Sequence, residues 1–165
     1  MTGSSALEPK IKLLLMDCDG VLTDGRLYFS ARGEEMKVFD VRDGQGIVLW
    51  HAAGYKSGII SGRGAGDIIQ RRADELGIEF VHVSIADKIA AFEEIIASLG
   101  IDASRVAYIG DDVGDIELMK RVGFSVAVAD AVDETKAVAT YVTKSKGGRG
   151  AVREVIEKLL ADQAN

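Results

Sequence analysis

The stretch Ile11-Lys12-Leu13-Leu14-Leu15-Met16-Asp17-Cys18-Asp19-Gly20 decides the fold. Its nearly continuous apolar run, Ile11–Met16, predicts a strand buried on both faces, as in a parallel sheet covered by helices. Two aspartates and a glycine follow at once. Open α/β sheets bind ligands beyond the carboxyl ends of their strands, so chemistry is expected here.

Working outward, Leu27–Phe29 and Met36–Phe39 flank Arg32-Gly33 and predict the arms of a β-hairpin. Asp43 is placed as the cap of a helix through Ile47–Ala53, closed by Gly54. Ser57–Ile60 predicts a second buried strand, and a helix from Gly66 to Leu76 stops at Gly77. Phe80–Val83 is the next strand, after which Asp87 caps a helix through Leu99 that ends at Gly100. Val106–Ile109 predicts a strand, followed by a helix near Asp115–Val122 with Gly123 behind it. Ser125–Val128 and Tyr141–Thr143 read as short strands, and Ala151–Ala161 as a final helix. The fold class expected is α/β: a three-layer α/β/α sandwich on a mainly parallel, Rossmann-like sheet, with a small hairpin. Residues 1–10 read as a flexible tail and 11–165 as one domain.

Composition narrows the function. The 165 residues carry 20 basic and 26 acidic side chains, a net charge of -6, which argues against a general nucleic-acid binder. A single cysteine excludes an internal disulfide framework and a cysteine-based zinc cluster. Met1–Lys10 lacks the basic-then-apolar order of a signal peptide, and Leu13–Met16 is far too short to span a bilayer. A cytoplasmic protein with no membrane partner is expected.

Four polar clusters fall at or just beyond predicted strand ends: Asp17-Cys18-Asp19-Gly20, Ser61-Gly62-Arg63, Asp87-Lys88 and Gly110-Asp111-Asp112. Asp17 and Asp19 are two residues apart, so an extended backbone points both carboxylates the same way. Hydrolysis of a phosphate monoester needs a nucleophile in line with the leaving oxygen and a proton for that oxygen. One ionised aspartate serves as nucleophile while a protonated neighbour acts as general acid. Alone, the pair also suits an ordinary strand-end turn.

Asp111 and Asp112 add carboxylates at another strand end. Beside Asp17 they would repel one another, and a hard dication such as Mg2+ is the natural remedy, since it prefers oxygen ligands and neutralises phosphate charge. Asp111 is expected to bind metal and Asp112 to orient the surrounding groups, with both also capping the following helix. Asp115, one turn on, either assists or is solvated. Ser61 and Gly62 offer a hydroxyl and open amides for phosphoryl oxygens. Lys88 stands at a helix start, an unfavourable place for a cation, and supplies positive charge for the same oxygens. His51 and His82 lack a second histidine at metal spacing and read as structural or surface residues. Cys18 reads as core, and Trp50 as core or interface.

In this order, the segment Asp17–Gly25 resembles the nucleophile motif of haloacid dehalogenase superfamily phosphatases, and Ser61, Lys88 and Gly110-Asp111-Asp112 resemble their later motifs. The resemblance implies that Asp17 is nucleophile and metal ligand. It implies that Asp19 is the general acid/base and binds magnesium through its main-chain carbonyl, and that Asp111 is the remaining metal ligand. Val21–Gly25, Phe39–Gly44 and Gly147–Glu154 are similar, more narrowly, to the 3-deoxy-D-manno-octulosonate 8-phosphate (KDO 8-phosphate) phosphatases. That family is capless and homotetrameric, and the hairpin and chain end of one subunit help cover a neighbour's site. The implied partner is a sugar-acid phosphate, used in lipopolysaccharide precursor synthesis. Its carboxylate calls for cations at the mouth, for which Arg63 and Arg149 are the candidates.

Other readings stay open at this point. Phosphatases for nine-carbon sugar acids are similar but tend to carry an acidic residue at such positions. A phospho-receiver groups acids and a lysine around magnesium without turnover, and a structural relative would keep the fold alone.

Overall fold

Every side chain of β1 (Leu13–Met16) is fully buried in the computed structural model, which describes residues 10–65 and 67–164. Burial of each such side chain contributes roughly 1.5–3 kcal/mol, which makes this strand the anchor of the core. It pairs in parallel with β4 (Lys56–Ile60) on one side and β6 (Val106–Gly110) on the other. Beyond β4 lies β5 (Phe80–His82), and beyond β6 lie β7 (Phe124–Ala127) and β8 (Tyr141–Val142). The order is β5-β4-β1-β6-β7-β8, with every pairing parallel.

That order reverses direction at β1, which creates a crevice at the carboxyl ends of β1, β4 and β6. Register decides what enters it. Met16 is level with both Ile59 and Ile109, so the segments beginning at Asp17, Ser61 and Gly110 leave the sheet side by side.

The helices flank the sheet in two groups. α1 (Val41–Ala52) packs on α6 (Ala151–Ala164) and touches α2 (Ile68–Leu76). α3 (Lys88–Leu99) touches α4 (Ile116–Met119), which touches α5 (Asp133–Val138). Trp50 of α1 is buried and donates from Nε1 to the Lys56 carbonyl at 2.7 Å, so its polar edge is satisfied inside the core. A separate antiparallel hairpin joins β2 (Tyr28–Ser30) to β3 (Gly33–Met36). The expected three-layer α/β/α architecture with a hairpin is what forms, and the described residues include no separate cap domain.

Local details differ. Asp40, not Asp43, caps α1, accepting from the Arg42 N–H at 2.7 Å. Asp43 sits inside the first turn and accepts instead from Gly150 N–H at 3.3 Å and Arg153 N–H at 3.0 Å, tying α1 to α6. The helix expected near Asp115–Val122 is short: a 3-10 turn at Val113–Asp115, then α4 alone. The chain then turns at Gly123, whose N–H donates to Ala103 O at 3.0 Å. Helix α5 was not anticipated, and the second hairpin arm ends at Met36 rather than Phe39. The expected start of α2 at Gly66 and nearly all of the predicted tail lie outside the described residues. Lys10, the tail's last residue, places its ammonium 5.7 Å from the Tyr55 ring centroid.

Candidate active site

Asp17 is seated where β1 meets β6, its N–H donating to Ile109 O at 3.1 Å. Its Oδ1 accepts from the Cys18 N–H at 2.7 Å, and its Oδ2 lies 3.2 Å from the Lys88 ammonium. Lys88 is delivered by the first turn of α3, which Asp87 caps by accepting from Ile89 N–H and Ala90 N–H at 3.0 and 3.2 Å. The same ammonium lies 2.7 Å from Asp115 Oδ1. Burial alone would lower the Lys88 pKa, but Asp115 and Asp17 outweigh it and hold the ammonium charged.

Asp115 is fully engaged. Its Oδ1 takes Lys88 at 2.7 Å and the Tyr108 hydroxyl at 2.5 Å, and its Oδ2 takes the N–H groups of Asp111 at 2.9 Å and Asp112 at 3.3 Å. Those four bonds fill the acceptor capacity of a carboxylate. Asp115 is therefore buried scaffolding, not a solvated acid. Asp112 is exposed and bonds its neighbour Val113 N–H at 2.7 Å. The orienting work expected of Asp112 falls to Asp115.

Asp111 has a buried Oδ1 with no hydrogen-bond partner. Oxygens of Asp17, Asp111 and Asp115 all lie within 4.8 Å of one another. Burial, then Asp115 and Asp17, push the Asp111 pKa up to about 8. Burial and Asp115 push Asp17 up to about 6, against the pull of Lys88. A cluster of hard oxygen donors with uncompensated negative charge fits a divalent cation. Because the lone pairs of Asp115 are taken, Asp17 and Asp111 are the carboxylates able to hold it. Gly20 makes the approach feasible: its φ is +86°, and a Cβ there would sit 2.0 Å from Asp111 Oδ2.

Ser61 follows β4 and is buried, with an Oγ that lacks a partner. Its backbone is fixed by bonds to His82 O at 2.8 Å and from Ile85 N–H at 3.1 Å. An unpaired buried hydroxyl costs about 1–3 kcal/mol, so an incoming phosphoryl oxygen would relieve a standing penalty. Gly62 beside it is exposed.

Asp19 faces a different set of charges. Its Oδ1 accepts from the Lys37 ammonium at 2.5 Å, and Lys37 also bonds Glu34 Oε1 at 2.7 Å. Arg63 Nε lies 3.6 Å from Asp19 Oδ2, and Arg63 Nη2 lies 3.6 Å from Glu34 Oε2. Arg149 stands elsewhere on the rim, 3.9 Å from Asp24. It is carried there by a glycine loop packed backbone-to-backbone on the Asp17 loop; a Cβ on Gly147 would fall 1.7 Å from Gly20 O. A cavity of about 380 Å³ lined by Phe39, Asp67, Ile68, Arg71, Arg72 and Glu75 shares no residue with this cluster.

Sequence reasoning passed over Glu34, Lys37 and Tyr108. For Tyr108 a signal existed: a phenol in an otherwise aliphatic strand has a hydroxyl that must find a partner. Glu34 and Lys37 offered none, because the carboxylate they surround, Asp19, lies back beyond the end of β1, 18 residues from Lys37.

Comparison with known proteins identifies the family. Residues 74–156 match the model of the haloacid dehalogenase-like hydrolases. A curated 3-deoxy-D-manno-octulosonate 8-phosphate phosphatase of Yersinia pestis is 46% identical over 153 residues, which cover 93% of this chain and 81% of that protein. The chain belongs to this phosphatase family of haloacid dehalogenase-like hydrolases. Solved members superpose closely. The Moraxella catarrhalis phosphatase, in complex with magnesium ion, phosphate ion and KDO, is 41% identical with a TM-score of 0.90, covering 94% of this chain and 88% of that one. The cobalt-bound Haemophilus influenzae phosphatase is 39% identical with a TM-score of 0.91, covering 94% and 90%. Like those relatives, this haloacid dehalogenase phosphatase presents a donor set suited to a divalent metal. No helix among its described residues is long and apolar enough to cross a membrane.

Proposed function

We propose that the chain hydrolyses KDO 8-phosphate to KDO and inorganic phosphate through a phosphoryl-Asp17 intermediate. One observation carries the mechanism: Asp17, Asp111 and the unpartnered hydroxyl of Ser61 leave strand ends that the sheet register brings together, and the first turn of α3 sets the Lys88 ammonium 3.2 Å from Asp17. The substrate rests on the relatives, among them one solved with KDO.

In the first step the Asp17 carboxylate attacks phosphorus. A phosphorus–oxygen bond to Asp17 forms as the bond to the sugar oxygen breaks, and Asp19 gives that oxygen its proton. In the second step Asp19 takes a proton from water, which attacks the same phosphorus and releases Asp17 as carboxylate. Lys88 and the Ser61 hydroxyl, with the Gly62 amide, hold the phosphoryl oxygens. Mg2+, held by Asp17, Asp111 and the Asp19 carbonyl, would neutralise phosphoryl charge. Arg63 and Arg149 are the residues assigned to meet the sugar carboxylate, and this pair favours the eight-carbon acid over a nine-carbon one.

Assembly completes the reading. Leu27, Phe29, Met36 and Val38 of the hairpin region are exposed, as are Val41, Val48 and Leu49 of α1. So much apolar surface suits contacts within a cytoplasmic homotetramer. A panel of sugar-acid phosphates with magnesium tests the substrate. KDO 8-phosphate is expected to turn over with the highest kcat/KM, and Arg63→Glu to weaken it selectively. Preference for a nine-carbon 9-phosphate, or no turnover, would remove the assignment.

A further inference from the structure

We infer that Lys37, braced by Glu34, is a positioning residue that reserves one oxygen of Asp19 for proton transfer. The inference rests on the acid–base reading of Asp19. Lys37 leaves the hairpin immediately after β3 and is buried along its side chain, only 1% exposed. Its ammonium is clamped between Asp19 Oδ1 at 2.5 Å and Glu34 Oε1 at 2.7 Å. Two carboxylates that share its ammonium hold a flexible lysine in place.

The two oxygens of Asp19 are thereby made different. A proton on Oδ1 would point a donor at an ammonium, which only donates. Oδ2 is buried, has no hydrogen-bond partner among the described residues, and lies 3.6 Å from the Arg63 guanidinium. Oδ2 is the oxygen left to give a proton to the leaving group and to take one from water. The contacts of Lys37 run to Asp19 and Glu34, so it acts through Asp19 rather than on phosphorus. The hairpin thus prepares the acid as well as offering surface to neighbours.

A leaving-group test separates positioning from simple structure. An alkyl phosphate needs a proton at its departing oxygen, whereas p-nitrophenolate departs without one. Lys37→Met is expected to lower kcat/KM for the alkyl ester KDO 8-phosphate about 30-fold or more, and for p-nitrophenyl phosphate by less than about 3-fold. Lys37→Arg is expected to restore most of the alkyl activity. Equal losses on both esters, or no loss on the alkyl ester, would overturn the inference. If Lys37→Met loses its near-ultraviolet circular dichroism, Glu34→Gln replaces it, with the same ester-selective loss expected at smaller size and the same overturning results. Asp19→Asn is the control. Should it show the ester-selective loss while the hairpin variants do not, positioning by Lys37 fails alone. Should Asp19→Asn itself lack that selectivity, the acid–base reading fails first.

Discussion

Replacing Ser61 by alanine is expected to make the metal-free protein more stable and the enzyme worse. Ser61 is 1% exposed and its Oγ has no partner, so the folded state carries an unpaired hydroxyl. That penalty is about 1–3 kcal/mol, and the small void left by one oxygen returns part of it. The net gain is about 1 kcal/mol. With a urea slope of about 2 kcal/mol/M, the unfolding midpoint should rise by about 0.5 M. Function moves the other way. A hydrogen bond to a charged phosphoryl oxygen contributes about 2 kcal/mol. Its loss corresponds to about a 30-fold fall in kcat/KM, at roughly 1.4 kcal/mol per decade. Urea unfolding by circular dichroism and phosphate-release kinetics on the same preparation read both numbers. A variant less stable than the parent by 1 kcal/mol, or one equally active, would refute the view that Ser61 is held unpaired for the substrate.

Other expectations follow from the same geometry. Gly20→Ala drives a Cβ into the Asp111 carboxylate at a backbone φ of +86°, so calorimetry should show weakened Mg2+ binding, and kcat/KM should fall by about 100-fold or more. Phe29→Asp puts a charge on the most exposed aromatic of the hairpin and should shift sedimentation of the proposed tetramer towards smaller species; sedimentation unchanged from the parent would exclude the hairpin from such contacts. Glu154 accepts from Lys144 N–H, Ser145 N–H and the Tyr141 hydroxyl, bonds that outweigh burial and lower its pKa below 4.5. A lowered folded pKa means stability present above the unfolded value and lost as pH falls through the folded one. Glu154→Gln should therefore cost about 1 kcal/mol near pH 7, screened by partial exposure, and the gap to the parent should close in acid. A gap independent of pH would contradict the sign.

How much of this was legible in the chain depended on whether the cause was local. The cap at Asp87 and the stop at Gly100, where φ is +62°, depend on neighbours a few residues away, and both were read from sequence. Asp43 looked like a cap by the same local logic, yet Gly150 and Arg153, more than 100 residues on, claim its carboxylate while Asp40 caps the helix. Asp17, Ser61 and Asp111 were legible as neighbours because strand ends in an open sheet share one edge, and Lys88 because its cap at Asp87 starts a helix beside that edge. The division of labour between Asp112 and Asp115 was not, since it depends on which carboxylate turns inward toward Lys88 and Tyr108. The clamp on Asp19 was hidden for the same reason. Lys37 lies 18 residues from it, and only the path of the hairpin brings them together.

The claim beneath all of this is that phosphate passes through Asp17. Acid quench during turnover with KDO 8-phosphate and magnesium, followed by peptide mass spectrometry, tests it directly. A phosphoryl group on the peptide, at Asp17 and absent from Asp17→Asn, is the expected result. Unimpaired turnover by Asp17→Asn, or a phosphoryl group on another residue, would contradict it.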